Sequence, residues 1–133
     1  MRLRTIARGL WTVLAVCTDE ERCDVLEFAV RLRRDDPPEF ARLLRLFDFV
    51  AECGPPHNTT RFRRLSADVY ELKTRGGTRV LCFFDEGRAL ICGEALVKPK
   101  PHRLTLAIEQ ASRTRWRYLN AKRIGRLEIL EDA

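Results

Sequence analysis

The residues of this 133-residue chain best placed by type and spacing to do chemistry are mostly cations. Lys73, Arg75 and Arg79 flank Gly76-Gly77, and Lys98, Lys100, His102 and Arg103 follow in a run interrupted by Pro99 and Pro101. If Gly76-Gly77 closes a two-residue hairpin with both glycines at positive φ, Lys73 and Arg79 stand opposite each other on one face. Two facing cations repel, so that pairing makes more sense with a phosphate between them. A guanidinium can grip two phosphate oxygens at once and stays ionised. Glu71 alternates with Leu72 and so shares the face of Lys73; it, or Glu94, could instead neutralise the cations in a surface ladder.

The charge is polarised along the chain. Residues 1–53 balance at −1 and residues 54–133 at +7, so the whole net charge of +6 sits in the second part. Such an excess suits a polyanion, because Lys and Arg displace the counterions condensed on nucleic acid. No Gly-rich nucleotide loop, G-x-S-x-G or H-E-x-x-H occurs, and no Cys/His or Ser/His/Asp set stands at readable spacing. No apolar run reaches the roughly 20 residues that cross a bilayer, and no cleavable leader is evident at Met1-Arg2-Leu3-Arg4, so a soluble protein without a membrane partner is expected. Five cysteines without a C-x-x-C pair, three of them in apolar runs, read as free thiols in a reducing cytoplasm. No metal and no small-molecule cofactor is expected.

The elements that must position these groups follow from periodicity. Leu10 to Val16 reads as a strand. Thr18 and Glu21 match a capping box that would open a helix from about Asp19 to Arg33, burying Val25, Leu26, Ala29, Val30 and Leu32. Asp36, with Pro37-Pro38 in the first turn and Glu39 three residues on, starts a second helix. There Phe40, Leu43, Leu44, Phe47, Val50 and Ala51 form the apolar stripe, and Gly54-Pro55-Pro56 ends it. From Thr60 the period changes to two. Strands are predicted over 62–65, 69–75, 79–84 and 89–97, with turns at Gly76-Gly77 and Asp85-Glu86-Gly87, then a last helix over about 104–121. The order β-α-α-β-β-β-β-α predicts one α+β domain, with a helical hairpin and a C-terminal helix packed on a twisted antiparallel sheet.

Leu65-Ser-Ala-Asp-Val-Tyr-Glu-Leu-Lys-Thr-Arg, Gly77-Thr-Arg-Val-Leu-Cys-Phe-Phe, and Gly93-Glu-Ala-Leu-Val-Lys-Pro-Lys-Pro with the helix after it resemble the phage-derived HigB-like branch of the RelE/ParE toxin superfamily. The resemblance covers residues 11–122, taken as the toxin domain. It leaves 1–10 as an N-terminal extension and 123–133 as a tail, whose acidic end, Glu128 to Ala133, is expected to be mobile.

What the resemblance implies is a RelE-like fold and the toxin of a type II toxin–antitoxin system. Such a toxin is a metal-independent endoribonuclease that cuts mRNA on the ribosome, paired with a HigA-like helix-turn-helix antitoxin. Cleavage by 2′-OH attack on the adjacent phosphate needs a proton acceptor, a stabiliser of charge on phosphorus, and a donor to the leaving 5′-oxygen. The resemblance places Arg79 at the phosphate, and Lys73 or Glu71 on the strand that supplies the base; His102 is a candidate acid. Lys98, Lys100 and Arg103, with Arg75, Arg63 and Arg64, are candidate RNA contacts. The alternatives are a non-catalytic RNA- or protein-binding domain, such as an inactive toxin or phage accessory protein, and a gyrase-inhibiting toxin on the same fold.

Overall fold

The computed structural model of the chain describes residues 1–130. Between Thr12 and Arg123 the elements follow the predicted α+β order, and a further strand is added at each end. They are β1 (Arg2–Arg8), β2 (Thr12–Cys17), α1 (Asp24–Asp35), α2 (Pro37–Cys53), β3 (Phe62–Arg64), β4 (Tyr70–Lys73), β5 (Thr78–Asp85), β6 (Ala89–Val97), α3 (Pro101–Arg123) and β7 (Glu128–Leu130). One sheet runs β3-β4-β5-β6-β2-β1-β7. β3 to β6 form the antiparallel meander, β1 returns antiparallel on β2, and β2 joins β6 in parallel.

Neither Arg2–Arg8 nor Glu128–Leu130 is an appendage. β1 pairs with β2 from Arg2↔Cys17 to Arg8↔Thr12, and β7 lies parallel to β1 with Leu3 opposite Ile129. Leu3 is buried beneath Tyr118 in an apolar cluster with Leu14, Phe83 and Ile91. The residues expected as an extension therefore build part of the core. The start of the tail expected to be mobile, Glu128–Leu130, is a strand; residues 131–133 lie outside the described residues.

The predicted capping box does not form. Thr18 to Arg22 makes a tight loop instead: the Glu21 amide donates to the Thr18 carbonyl at 2.9 Å, and the Thr18 amide to the Arg22 carbonyl at 2.8 Å. Glu21 takes φ 64°, which no helix residue can hold. That loop brings the Cys17 and Cys23 Cα atoms to 4.1 Å, and a disulfide joins them. The expectation of free thiols fails at this pair, while Cys53, Cys82 and Cys92 remain unpaired. The first helix consequently starts at Asp24. Its inward residues are Val25, Phe28 and Ala29, and Val30, one step further round the helix, is exposed rather than buried.

The second helix is as read. Asp36 accepts from the Glu39 amide at 3.3 Å, and Leu43, Phe47, Val50 and Ala51 are buried, although Leu44 faces solvent. α1 and α2 cover one face of the sheet through Val13, Ala15, Leu72, Val80, Cys82, Leu90 and Cys92. α3 covers the other, packing Leu104, Ala107 and Ala111 on Val69, Leu81 and Leu96. α3 is tied at one end by Arg103 to Glu94 at 2.7 Å, and at the other by Tyr118 and Lys122 to Asp85 at 2.5 and 3.0 Å. Gly93 is an extra residue in β6 between the pairs Cys82↔Cys92 and Leu81↔Glu94. Beyond it β2 no longer accompanies β6, and Asp24 accepts from the Ala95 amide at 3.1 Å.

One buried carboxylate fixes the β4–β5 hairpin. Glu39, 4% exposed, accepts from the Thr74 hydroxyl at 2.6 Å, the Thr78 hydroxyl at 2.5 Å, the Thr78 amide at 3.3 Å and Arg42 at 3.2 Å. The loop itself has three residues, Arg75 to Gly77, not two. The Gly77 amide donates to the Thr74 carbonyl at 3.2 Å, and Gly77 but not Gly76 takes a positive φ, +94°. That is a tight turn closed by a left-handed glycine. Gly76 is glycine for another reason, since its bare Cα rests on the Glu39 carboxylate.

Burial alone would raise the Glu39 carboxyl, but the Thr74, Thr78 and Arg42 hydrogen bonds outweigh it and hold it below its ordinary value of 4.5. A depressed folded value means stability that is fully present above the ordinary value and lost as pH falls through the lower folded one. The melting temperature should therefore hold down to about pH 4.5 and drop below it, and Glu39→Gln should flatten part of that drop in a pH series of thermal melts. Asp85 is held low against its own burial by Tyr118 and Lys122 and supplies another part.

Candidate active site

Lys73 and Arg79 stand directly opposite each other on β4 and β5, as the sequence predicts. The three-residue loop preserves this pairing because Thr74 and Thr78 close the ladder above it. Both lie on the α3 side of the sheet, in alternation with Leu72 and Val80, which face α1 and α2. The Lys73 ammonium has no ion-pair partner among the described residues. Arg79 is about one-fifth exposed, and its Nε is buried without a hydrogen-bond partner among the described residues.

Glu71 shares that face but not that exposure. It is 3% exposed, where the sequence reading had placed it on the surface. Arg63, opposite it on β3, donates from Nε to Oε1 at 3.0 Å, and Arg79 donates from Nη1 to Oε2 at 3.4 Å. Strand alternation assigns a face and says nothing of what covers it; here the two guanidinium groups fold over the carboxylate.

The remaining candidates divide. Lys98 follows β6 with φ 40°, its amide donates to the Gly77 carbonyl at 3.0 Å, and its methylenes lie beside Gly77, so it borders the Lys73–Arg79 end of the sheet. Lys100 is the N-cap residue of α3 and His102 lies in its first turn; both are exposed. No contact joins His102 to Arg79 among the described residues. Arg103 is held by Glu94, and Arg64 donates to the Ser66 and Ala67 carbonyls at 3.2 and 2.7 Å. Those two and Arg63 are thus engaged by the protein itself, whereas Lys73, Arg75, Lys98 and Lys100 make no ion pair among the described residues.

Three arginines have no place in the sequence reading. Arg42, Arg45 and Arg61 line a cavity of about 620 Å³ together with Lys73 and Arg75. The signal was present in α2 as a second stripe: Arg42, Arg45, Leu46 and Phe49 stand at i, i+3, i+4 and i+7, off the core-facing stripe.

The model of the family described as "Phage derived protein Gp49-like (DUF891)" matches residues 31–115, nearly two-thirds of the chain, from within α1 to within α3. The chain belongs to this Gp49-like phage-derived family. That family lies in the RelE/ParE-like toxin superfamily and is related to RelE-type toxins, which are endoribonucleases. No curated protein matches the chain. The Gp49-like match contains Glu39 and the whole β4–β5 hairpin with Lys73 and Arg79; β1, β2 and β7 fall outside it. No helix among the described residues is long and apolar enough to cross a membrane.

Proposed function

We propose that this chain is the toxin of a type II toxin–antitoxin pair, a HigB-like endoribonuclease that cuts mRNA without a metal, in the cytoplasm and on the ribosome. The observation that carries the reading is Lys73, without an ion-pair partner among the described residues, facing Arg79, whose Nε has no partner among them either, on a hairpin pinned from below by Glu39. A phosphodiester gripped there meets an ammonium and a guanidinium already held in place, which is what charge building on phosphorus requires.

In this reading the 2′-hydroxyl attacks the adjacent phosphorus in line, forming the 2′,3′-cyclic phosphate and expelling the 5′-oxygen. Arg79 and Lys73 hold the non-bridging oxygens. The Arg79–Glu71 contact, at 3.4 Å, is the longer of the two at that carboxylate. A bound phosphate draws Arg79 away, which frees Glu71 Oε2 to accept the 2′ proton. His102 donates to the leaving oxygen, and Lys98, Lys100 and Arg75 follow the flanking backbone. A HigA-like antitoxin is the proposed partner.

The test is incubation of the purified chain with single-stranded RNA, alone and as mRNA on translating ribosomes, with product ends mapped chemically. Cyclic phosphate ends that persist in a chelator and vanish in Glu71→Gln support the assignment. RNA bound but uncut in both settings assigns the non-catalytic alternative. Growth arrest with intact mRNA and broken DNA assigns gyrase inhibition.

A further inference from the structure

The cavity between α2 and the end of the β3–β4 edge gathers five cations: Arg42 and Arg45 from α2, Arg61 ahead of β3, and Lys73 and Arg75 at the hairpin. Among the described residues only Arg42 has a carboxylate partner, Glu39, and that one is committed to the hairpin. No acidic side chain is among the lining residues. Like charges gathered around an opening raise one another's energy unless an anion is there to meet them. The cavity also has an apolar, aromatic wall, with Phe49 46% exposed beside Leu46 and Pro56. An exposed phenyl ring beside several guanidinium groups suits a base stacked on the ring, with its phosphates on the arginines.

Two further observations extend the ligand from one nucleotide to a strand. Lys73 lines this cavity and also pairs with Arg79 on the α3 side of the sheet, so a strand joining the two sites would pass round the hairpin end of the sheet at Lys73. Pro56 also walls a second cavity of about 680 Å³, lined by Trp11, Phe62 and Tyr70 with Arg63 and Arg64 at hand. There Phe62 and Tyr70 stack at 5.1 Å with an interplanar angle of 2°. Aromatic surfaces and cations alternate along the path.

We infer that the cavity under Arg42, Arg45, Arg61 and Arg75 is a nucleotide subsite for single-stranded RNA. It takes the base on Phe49 and the backbone phosphate on the arginines, and leads the strand to or from Lys73 and Arg79. The inference rests on the RNA reading of the neighbouring site but needs no cleavage there. It also assigns Arg45 and Phe49, which face away from the core, a ligand.

The test is a titration of a short fluorescein-labelled single-stranded oligoribonucleotide by fluorescence anisotropy. It uses the full-length chain in an Arg79→Ala background, so that cutting is negligible over the titration. Arg45→Ala with Arg75→Ala should weaken binding by roughly 10- to 100-fold and reduce the slope of log affinity against log salt by about two. Phe49→Ala should cost roughly 5- to 100-fold with the slope unchanged, because stacking releases no counterion. Melting temperatures of these variants should match the parent, since all three side chains are exposed. Unchanged affinity and slope in the arginine pair would overturn the inference. So would competition by a polyglutamate peptide, or by adenosine monophosphate, as effective as competition by unlabelled RNA. If the otherwise unaltered chain cuts no RNA but these variants lose binding, the subsite stands and the nuclease reading falls. If it cuts and they bind as the parent does, the reverse holds.

Discussion

Arg79→Ala should lower RNA cleavage about 100- to 1000-fold, the usual cost of removing one group that stabilises charge in a transition state. The expectation follows from its surroundings. The guanidinium sits one-fifth exposed opposite Lys73, Glu71 holds one of its nitrogens, and Nε has no partner among the described residues. Arg79→Lys should recover little, because an ammonium keeps the charge but loses the planar fork that meets two oxygens together. The loss should fall on kcat more than on KM, since Lys73 and the other unpaired cations still bind the strand. Single-turnover cleavage by the three proteins measures this. A parallel melt should show a drop of only a few degrees, because Arg63 remains on Glu71. A collapse of the melt together with activity would make Arg79 architectural instead.

Gly76→Ala should be the most destabilising small substitution in the hairpin, at roughly 2–4 kcal/mol. The added methyl would collide with the Glu39 carboxylate, and the backbone at Gly76 is not in the left-handed region, so the cost is steric. A carboxylate at the end of a glutamate normally swings aside. This one is buried and holds Thr74, Thr78 and Arg42, so moving it strands a charge and disrupts four hydrogen bonds. Gly77→Ala is the informative comparison. Its Cβ would press on the exposed methylenes of Lys98, which can move, and a positive φ in alanine costs about 1–2 kcal/mol. Denaturant melts should rank Gly76→Ala below Gly77→Ala. The double variant Gly76→Ala with Glu39→Ala should lose less than the two singles combined, because the collision is gone.

The parts of the fold that were legible in the sequence are those whose signals are local. The α2 stripe apart from Leu44, the Asp36 cap and the apolar strand over 79–84 each depend on residues within a few positions, and each stands as read. The pairing of β1 with β2 and β7 was not legible, because Leu3 gains its neighbours from residues more than a hundred positions away as well as nearby ones. The capping box failed for a different reason. Thr18 and Glu21 have the right types, but the Cys17–Cys23 closure turns the loop back before a helix can begin.

At the candidate site, period-two alternation placed Glu71, Lys73 and Arg79 on one face correctly. Depth was not legible, because the burial of Glu71 comes from Arg63 and Arg79 closing over it. Arg42 and Arg45 were missed because a helix facing the core with one stripe hides the use of another. Only the hairpin docked against α2 reveals what they surround.

Both margins of the sheet are very short among the described residues: β3 and β7 have three residues each. β3 ends in Arg63-Arg64 and β7 begins with Glu128, so each margin offers a neighbouring molecule few free amides and carbonyls, set beside charge. Sheets so bordered resist growth by strand addition between molecules. Concentrated solutions of this chain are therefore guarded against edge-seeded aggregation, even though the meander at its centre is long and strongly apolar.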